Sequence, residues 1–485
     1  MIISFKRFLK NHYLIILILS LAAFLRFFNI EIKTSFLGEQ GRDLLVARNI
    51  LVFKKFTLLG PPTSLSPHIH FGPFYHYFNA FWLWLFRLNP LGPAIGFAFL
   101  NLLACLSLYL ISLNWKQKIA GLMSALLFAV SPLMIIYSQS IFNSYFLISF
   151  TIFSFLSFSI FLNKQKFCWL FLSGLFAGIA LQANFLAYGL IISFLIWFIL
   201  QKTKFWLKSF SFIIGVLLAT SPYLIFEVRH QFFNTHGFIL WLREGGGSGF
   251  TLFGFFRNII ESFGQIFYFT LANQNLLVTI LLIAFLTSLI LLFKKKDLFL
   301  KLILLFLSIT LVLARIYPGK MLDHYLGAVF PFVFLLFGYL FQKSLKSKFK
   351  IIISLIFAFI IFFNLSAYRF KTNNGYGMLD NWNMKETKKA AKIIANNADE
   401  NFNIANLLDG DTRAYTYRYL VEIENKKPLG VEEYPQSKTL YVITKINQEQ
   451  ILDYPVWEIY SFLPAKIDKS WPIKEDIKIF KLIKE

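Results

Sequence analysis

Long apolar runs recur along most of this chain, and they decide its class before any motif does. They appear at Tyr13–Phe28, Ala94–Leu113, Ala120–Tyr137, Tyr145–Leu162 and Ile351–Leu365, with others between. About 18 or more apolar residues suffice to cross the hydrocarbon core of a bilayer as a helix. Of the 485 residues, 57% are hydrophobic and 19% aromatic. A soluble core cannot hide that much apolar surface, so the chain reads as a polytopic helical membrane protein.

The charge distribution sets a topology. The formal net charge of +23 would suit a nucleic-acid binder if it were clustered on one soluble face. Instead, 18 positive charges sit in six short segments between apolar runs, accompanied by one acid, Asp297. These segments hold Lys6/Arg7/Lys10, Lys116/Lys118, Lys164/Lys166, Lys202/Lys204/Lys208, Lys294–Lys296 with Lys301, and Lys343/Lys346/Lys348/Lys350. Basic cytoplasmic loops beside an anionic inner leaflet look like this, and no nucleic-acid partner is expected. The N-terminus resembles a signal peptide but lacks a clear small-residue cleavage site, so it reads as a retained first helix. The two cysteines, Cys105 and Cys168, lie in apolar runs and support neither a disulfide framework nor a thiolate metal site.

With the six basic segments inside, span 1 runs outward at 12–30 and residues 31–91 form a long outer loop. Within it, Pro73–Leu88 reads as an interfacial or re-entrant helix, because counting it as a crossing would invert every later basic loop. The remaining spans fall near 92–113, 119–137, 144–163, 167–182, 184–201, 206–226, 262–292, 298–315, 322–342 and 350–368, about eleven in all. The N-terminus is then cytoplasmic and the C-terminus extracytoplasmic. Residues 1–370 form the membrane part. Residues 371–485 carry 17 of the 25 acids and read as a small α/β domain. There, Met384–Asn397 and Asp411–Glu424 look helical, the latter with Asp411 as N-cap, and Phe402–Leu408, Thr439–Lys445 and Asp476–Ile483 look like strands. Gly245–Gly249 reads as a flexible outer loop.

The outer face collects the chemistry. Seven of the eight acids before residue 371 fall there or at its boundary: Glu31, Glu39, Asp43, Glu227, Glu244, Glu261 and Asp323. So do six of the seven histidines: His68, His70, His76, His230, His236 and His324. Glu39 and Asp43, four residues apart, share a face if their segment is helical, and either carboxylate would take a proton from an attacking hydroxyl. Arg42 is a substrate contact or simply their ion-pair partner. His68 and His70 suit a substrate contact. A divalent cation would need a third ligand that the sequence does not supply. Arg229, His230, Lys320 and His324 suit an anionic phosphate near the outer interface, though snorkelling to headgroups explains such cations equally well. Tyr137 and the turn Gln182–Asn184 fit sugar hydroxyls, or a helix break that needs its backbone satisfied.

These features in this order resemble a known family. A short basic N-terminus, one span and an acidic outer loop come first. The aromatic segment Gly72-Pro73-Phe74-Tyr75-His76-Tyr77 follows, then Ser131-Pro132 with Tyr137-Ser138, and finally His324-Tyr325-Leu326 before a span containing Pro331. Over residues 1–345 the chain resembles the GT-C superfamily of polyprenyl-phosphate-sugar-dependent glycosyltransferases. The nearest branch resembles the bacterial relatives of protein O-mannosyltransferases and of lipid A aminoarabinose transferase. The family typically carries Asp-Glu in its first loop, where this chain has Glu39-Gln40. The resemblance thus implies Glu39 as the base, with Asp43 compensating for the lost second acid.

It further implies a polyprenyl-phosphate-linked sugar donor, a lipid, glycan or protein acceptor hydroxyl, inversion at the sugar, and no required cofactor or metal. The expected protein is an all-α polytopic membrane glycosyltransferase of the cytoplasmic membrane, with a small extracytoplasmic α/β domain. A transporter or flippase is the rival reading. It expects ionisable groups near the membrane midplane or internal repeats, and the sequence shows neither clearly.

Overall fold

The computed structural model describes residues 2–201, 205–246, 251–267, 270–271, 297–317, 321–474 and 476–485. Helix α1 (Ile2–Phe27) leads into two further helices, α2 (Ile30–Lys33) and α3 (Gly38–Phe53), and then the aromatic α4 (Phe74–Leu85). The bundle continues with α5 (Leu91–Asn114), α6 (Lys118–Val130), α7 (Pro132–Ser138), α8 (Phe146–Lys164), α9 (Phe167–Ala183), α10 (Tyr188–Gln201) and α11 (Phe205–Arg229). After α12 (Phe233–Trp241) and α13 (Leu252–Phe267) come α14 (Leu298–Ala314), α15 (Phe330–Ser344) and α16 (Lys350–Ser366).

Among the described residues, three helices are long and apolar enough to cross a membrane: Leu91–Asn114, Asn143–Lys164 and Trp206–Arg229. The pair α6–α7, bent by 66°, makes a fourth if taken as one span, and six further apolar helices are shorter. The eleven expected crossings are therefore not all met by length and composition. Most of the expected 262–292 span and the Lys294–Lys296 segment lie outside the described residues, as do most of the Gly245–Gly249 loop and Lys320. The helix that enters this region, α13, starts early, exposes Leu252, Phe253, Phe256 and Ile260, and carries the i,i+4 pair Arg257–Glu261. The span expected at 322–342 begins later, because Asp323–Leu326 is a 3₁₀ turn and α15 starts at Phe330 with Pro331 in its first turn. The span expected to end at 226 runs to Arg229 as one helix with Pro222 inside it.

The break between α6 and α7 has a clear cause. Pro132 has no N–H, so the carbonyl four residues back, that of Phe128, loses its helical donor. Phe128 and Ala129 are fully buried, so no water replaces that donor. Arg26, fully buried on α1, supplies it: its guanidinium donates to the Phe128 carbonyl at 3.2 Å, to the Ala129 carbonyl at 2.9 Å and to Asn101 Oδ1 at 2.6 Å. Gln139, just past α7, donates back to the Leu25 and Arg26 carbonyls at 3.2 and 3.0 Å. The backbone N–H of Ser35 then donates to the Gln139 carbonyl at 3.2 Å. The broken helix and the start of the outer loop are thus tied through the end of α1.

The C-terminal part packs α17 (Met384–Asn397) and α18 (Tyr415–Ile423) on a four-stranded sheet of β1 (Phe402–Asn406), β2 (Thr439–Thr444), β3 (Ala465–Lys474) and β4 (Ile477–Lys484). The strand order is β1-β2-β4-β3, with β1 and β2 parallel and the other pairs antiparallel. Every residue of β1 and β2 is buried, including Asn403 and Asn406 of β1. The edge strand β3 escapes a sequence reading because it is rich in lysine and mostly exposed. The helix expected from Asp411 begins only at Tyr415, because Ala414 adopts a left-handed conformation (φ 59°). Asp411 still serves that end, since its carboxylate accepts from the Tyr415 N–H at 2.7 Å.

Helix α18 lies directly on α3. A Cβ on Gly41 would approach the backbone nitrogen of Thr416 to 2.3 Å, and one on Gly38 would meet the Asp411 side chain at 2.3 Å. One continuous apolar cluster joins Phe36, Leu44 and Ala47 to Tyr419 and Leu420. Two outcomes follow. Arg26→Met should lower stability by about 3 kcal/mol or more, because two or more buried acceptors lose a charged donor; thermal unfolding in detergent measures it. Gly41→Ala should pry α3 from α18, and faster proteolysis of the 371–485 region than in wild type would show this.

Candidate active site

A cavity of about 250 Å³ opens beside the first turns of α3. Glu39, Arg42 and Asp43 line it from α3, and His324 and Tyr325 line it from the 3₁₀ turn before α15. Its floor and rim hold Ser64, Phe71, Phe142, Asn143, Ser144, Asn184 and Phe185. Residues 285 positions apart in sequence thus face one space. Folding brings the end turns of several helices together at one cavity.

The two carboxylates of α3 are not equivalent. Glu39 is exposed to the cavity and has no ion-pair partner among the described residues. Asp43 is 4% exposed and bound to Arg42, with the guanidinium Nε at 3.0 Å and a terminal nitrogen at 2.9 Å from one carboxylate oxygen. Burial pushes the Asp43 carboxyl up to about 7 against the pull of Arg42, and repulsion from Glu39 adds to the rise. Burial works against the Arg42 charge, but Asp43 and then Glu39 hold it above its ordinary value. The contacts to Asp43 engage Nε and one terminal nitrogen, which leaves other N–H donors of the five on the guanidinium for a ligand in the cavity.

The far wall is polar. Burial raises Asp323, yet hydrogen bonds from the His324 ring and backbone outweigh it and hold the carboxyl below its usual range. His324 Nδ1 lies 3.4 Å from Asp323 Oδ1, so this carboxylate orients the ring. Asn143 is 4% exposed and donates to the Ala183 carbonyl at 2.8 Å, leaving its own buried oxygen without a donor. Tyr325 and Ser64 share a hydroxyl contact at 3.0 Å across the rim.

The other expected site residues are placed differently. Tyr137 is buried and stacks on Tyr145 with ring centroids 3.8 Å apart, behind the cavity wall rather than in it. His70 lies on a bridge that pairs with Pro62, and its N–H donates to Asn234 Oδ1 at 2.7 Å; burial lowers its pKa. His68 is exposed and packs edge-on against Phe233. The two histidines do not line the cavity, although the loop just before them (Pro61–Leu65) does. Arg229 and His230 sit at the exposed end of α11, where His230 stacks on Phe226 at 4.0 Å, also outside the cavity. Lys320 lies outside the described residues. Asn143-Ser144 escaped notice in the sequence, though a polar pair before an apolar run was the available signal. Among the described residues no three His, Cys, Asp or Glu side chains converge closely enough to hold a metal ion.

Comparison with known proteins gives this geometry a context. A family model described as dolichyl-phosphate-mannose-protein mannosyltransferase matches residues 70–226. No curated protein matches at the sequence level. The crystal structure of ArnT from Cupriavidus metallidurans bound to undecaprenyl phosphate is similar over 97% of this chain and 98% of that one, at 11% identity and a TM-score of 0.63. Its apo form matches with a TM-score of 0.61 over 96% of this chain and 97% of that one, at 10% identity. The Archaeoglobus fulgidus oligosaccharyltransferase, solved with Zn and sulfate, is similar over 91% of this chain and 69% of its own, at 13% identity and a TM-score of 0.51. The resemblance to GT-C glycosyltransferases seen in the sequence is thus met from two sides, and the chain has the fold of ArnT over nearly its whole length.

Proposed function

We propose that this protein is a membrane glycosyltransferase that moves a sugar from a polyprenyl-phosphate donor to a hydroxyl acceptor on the outer face of the cytoplasmic membrane. The observation that carries the reading is the exposed Glu39 carboxylate, placed in one cavity with Arg42 and His324. The match to ArnT bound to undecaprenyl phosphate supports the donor class. The complex of the archaeal oligosaccharyltransferase with a dolichol-phosphate supports it again.

In this reading the acceptor oxygen attacks the anomeric carbon and Glu39 takes its proton. The bond from that carbon to the lipid phosphate breaks on the opposite side, so the configuration inverts. The leaving phosphate gathers negative charge, and the free donors of Arg42 together with His324 stabilise it. This shifts the phosphate role from Arg229 and His230, which lie outside the cavity, to Arg42 and His324, which line it. Asn143, with its unpaired oxygen, and Ser144 and Asn184 beside it suit sugar hydroxyls; Phe142 and Phe185 suit the apolar face of a sugar ring. Arg42 supplies the charge stabilisation and His324 a ring nitrogen beside it, so the reading calls for no metal. Eleven crossings with an extracytoplasmic C-terminus remain part of this reading.

Transfer from a panel of polyprenyl-phosphate sugars, measured with purified protein in lipid, tests it. Glu39→Gln should reduce turnover by about 10²–10⁴-fold while the protein stays folded. Equal turnover in Glu39→Gln and wild type would remove Glu39 from the mechanism, and loss confined to Asp43→Asn would make Asp43 the base.

Asp43 also gives a stability signature. Its carboxyl titrates near 3.8 when unfolded and near 7 when folded, so between these values the folded protein keeps a proton that the unfolded chain releases. The stability this group contributes is full below pH 4, falls as pH rises to about 7, and is flat above. Thermal unfolding measured from pH 4 to pH 8 should show this slope in wild type and lose it in Asp43→Asn.

A further inference from the structure

A second pocket, of about 170 Å³, lies outside the cavity described above. It sits where α2, the short α7 and the end of α16 meet. Lys33, Tyr368 and Arg369 line one side, and Pro132, Ile135 and Ile136 of α7 form an apolar side. Thr372, Asn374 and Tyr376 complete the rim.

The charges here are unbalanced. Lys33 is 5% exposed, yet it has no carboxylate partner among the described residues. Its ammonium donates to Tyr368 Oη at 2.5 Å and lies over the rings of Tyr368 and Phe28, at 4.0 and 4.9 Å from their centroids. Tyr368 is itself fixed by donating to the Leu25 carbonyl at 2.9 Å. An ammonium has three donors, and one of them is used in this way. Arg369 likewise has no carboxylate partner among the described residues. Both of its hydrogen bonds, to Thr372 Oγ1 and Asn374 Oδ1 at 2.7 Å, leave from one terminal nitrogen, which keeps the rest of the guanidinium open. Burial, and after it the charge of Arg369, lower the Lys33 ammonium to about 8. Arg369 is exposed, but Lys33 is a buried ammonium without a carboxylate partner among the described residues, and such a charge is costly unless an anion joins it.

The surroundings say which anion. Helix α16 exposes Ile352, Leu355, Phe359 and Phe362 along its length, an apolar face of the kind that meets acyl chains. The pocket caps the outer end of that face, with apolar residues on one side and cations on the other. From this arrangement we propose that Lys33 and Arg369 form an anion site that binds the phosphate of a membrane lipid headgroup, separate from the cavity lined by Glu39. Arg grips such a phosphate through paired donors and Lys through its charge. The site stands whether or not the protein transfers sugar, and its test reads no transfer.

Full-length protein in a non-ionic detergent is labelled with a limiting amine-reactive anhydride, and acylation of Lys33 is read by peptide mass spectrometry. The exposed Lys478 serves as the internal reference. The probes are dioctanoyl phosphatidylglycerol, dioctanoylglycerol and inorganic phosphate. At a phosphatidylglycerol concentration ten times its dissociation constant, Lys33 labelling should slow about tenfold relative to Lys478. Dioctanoylglycerol should leave it unchanged. Arg369→Gln should remove the protection and Arg369→Lys should restore most of it, which separates a lost charge from a misfolded pocket. Protection by inorganic phosphate equal to that by the lipid would keep the anion site and overturn the lipid as its source. No protection by any phosphate-bearing probe, or protection that survives in Arg369→Gln, would overturn the proposal.

Discussion

The carbonyls left without donors at Phe128 and Ala129 are the constraint on which the site end of this bundle depends. Inside a bilayer such groups find no water, and leaving them bare costs several kcal/mol each. The chain meets the cost with the fully buried Arg26, whose guanidinium reaches across from α1 to both. Once α1 is fixed there, Gln139 and Tyr368 fasten to the carbonyls of its last turn. Ser35 pairs with Gln139, and α3 begins three residues later. The position of Glu39 is therefore inherited from a proline-forced break in another helix.

Helix α3 has little amphipathic character to hold it against the bundle by itself. The C-terminal part supplies the missing face. Arg48 and Glu422 form an ion pair at 2.8 Å between α3 and α18, and Tyr419 donates to the Leu88 carbonyl at 2.6 Å. A partly exposed ion pair contributes about 1 kcal/mol or less. The apolar contact of Phe36, Leu44 and Ala47 with Tyr419 and Leu420 stabilises the join more, since each fully buried large side chain is worth roughly 1.5–3 kcal/mol. Glycines at 38 and 41 let the two helices come close enough for that contact. The C-terminal part thus acts as a clamp on the site helix.

The two α3 carboxylates are in different states, and Asp43 is the one that faces Tyr75 and His76 of α4. Asp43 sits on the inner side, loses its water and takes Arg42 as partner. Glu39, one turn earlier, stays exposed to the cavity. One acid is thus held in place by its ion pair, while the other faces the cavity where an acceptor hydroxyl would sit.

Several features were legible in the sequence alone. The apolar runs dictated helices, because nothing else satisfies a backbone in lipid. The alternating basic loops and the acids at residues 39 and 43 pointed to one chemically active face. The resemblance in the order of motifs named a fold that the comparison with ArnT supports. The sequence also placed α17 and three of the four strands, but it missed the lysine-rich edge strand β3, whose exposed pattern carries no burial signal. Position 137 looked like a site tyrosine, yet it stacks on Tyr145 behind the wall. Arg229 and His230 looked like phosphate ligands, yet they lie outside the cavity at the end of α11. Local spacing decided which helices form, since that rests on backbone hydrogen bonds within each segment. Only the tertiary structure decided which outer turns share a cavity, because that depends on side chains far apart in the chain, Arg26 with Phe128 and Gly41 with Thr416, filling each other's needs.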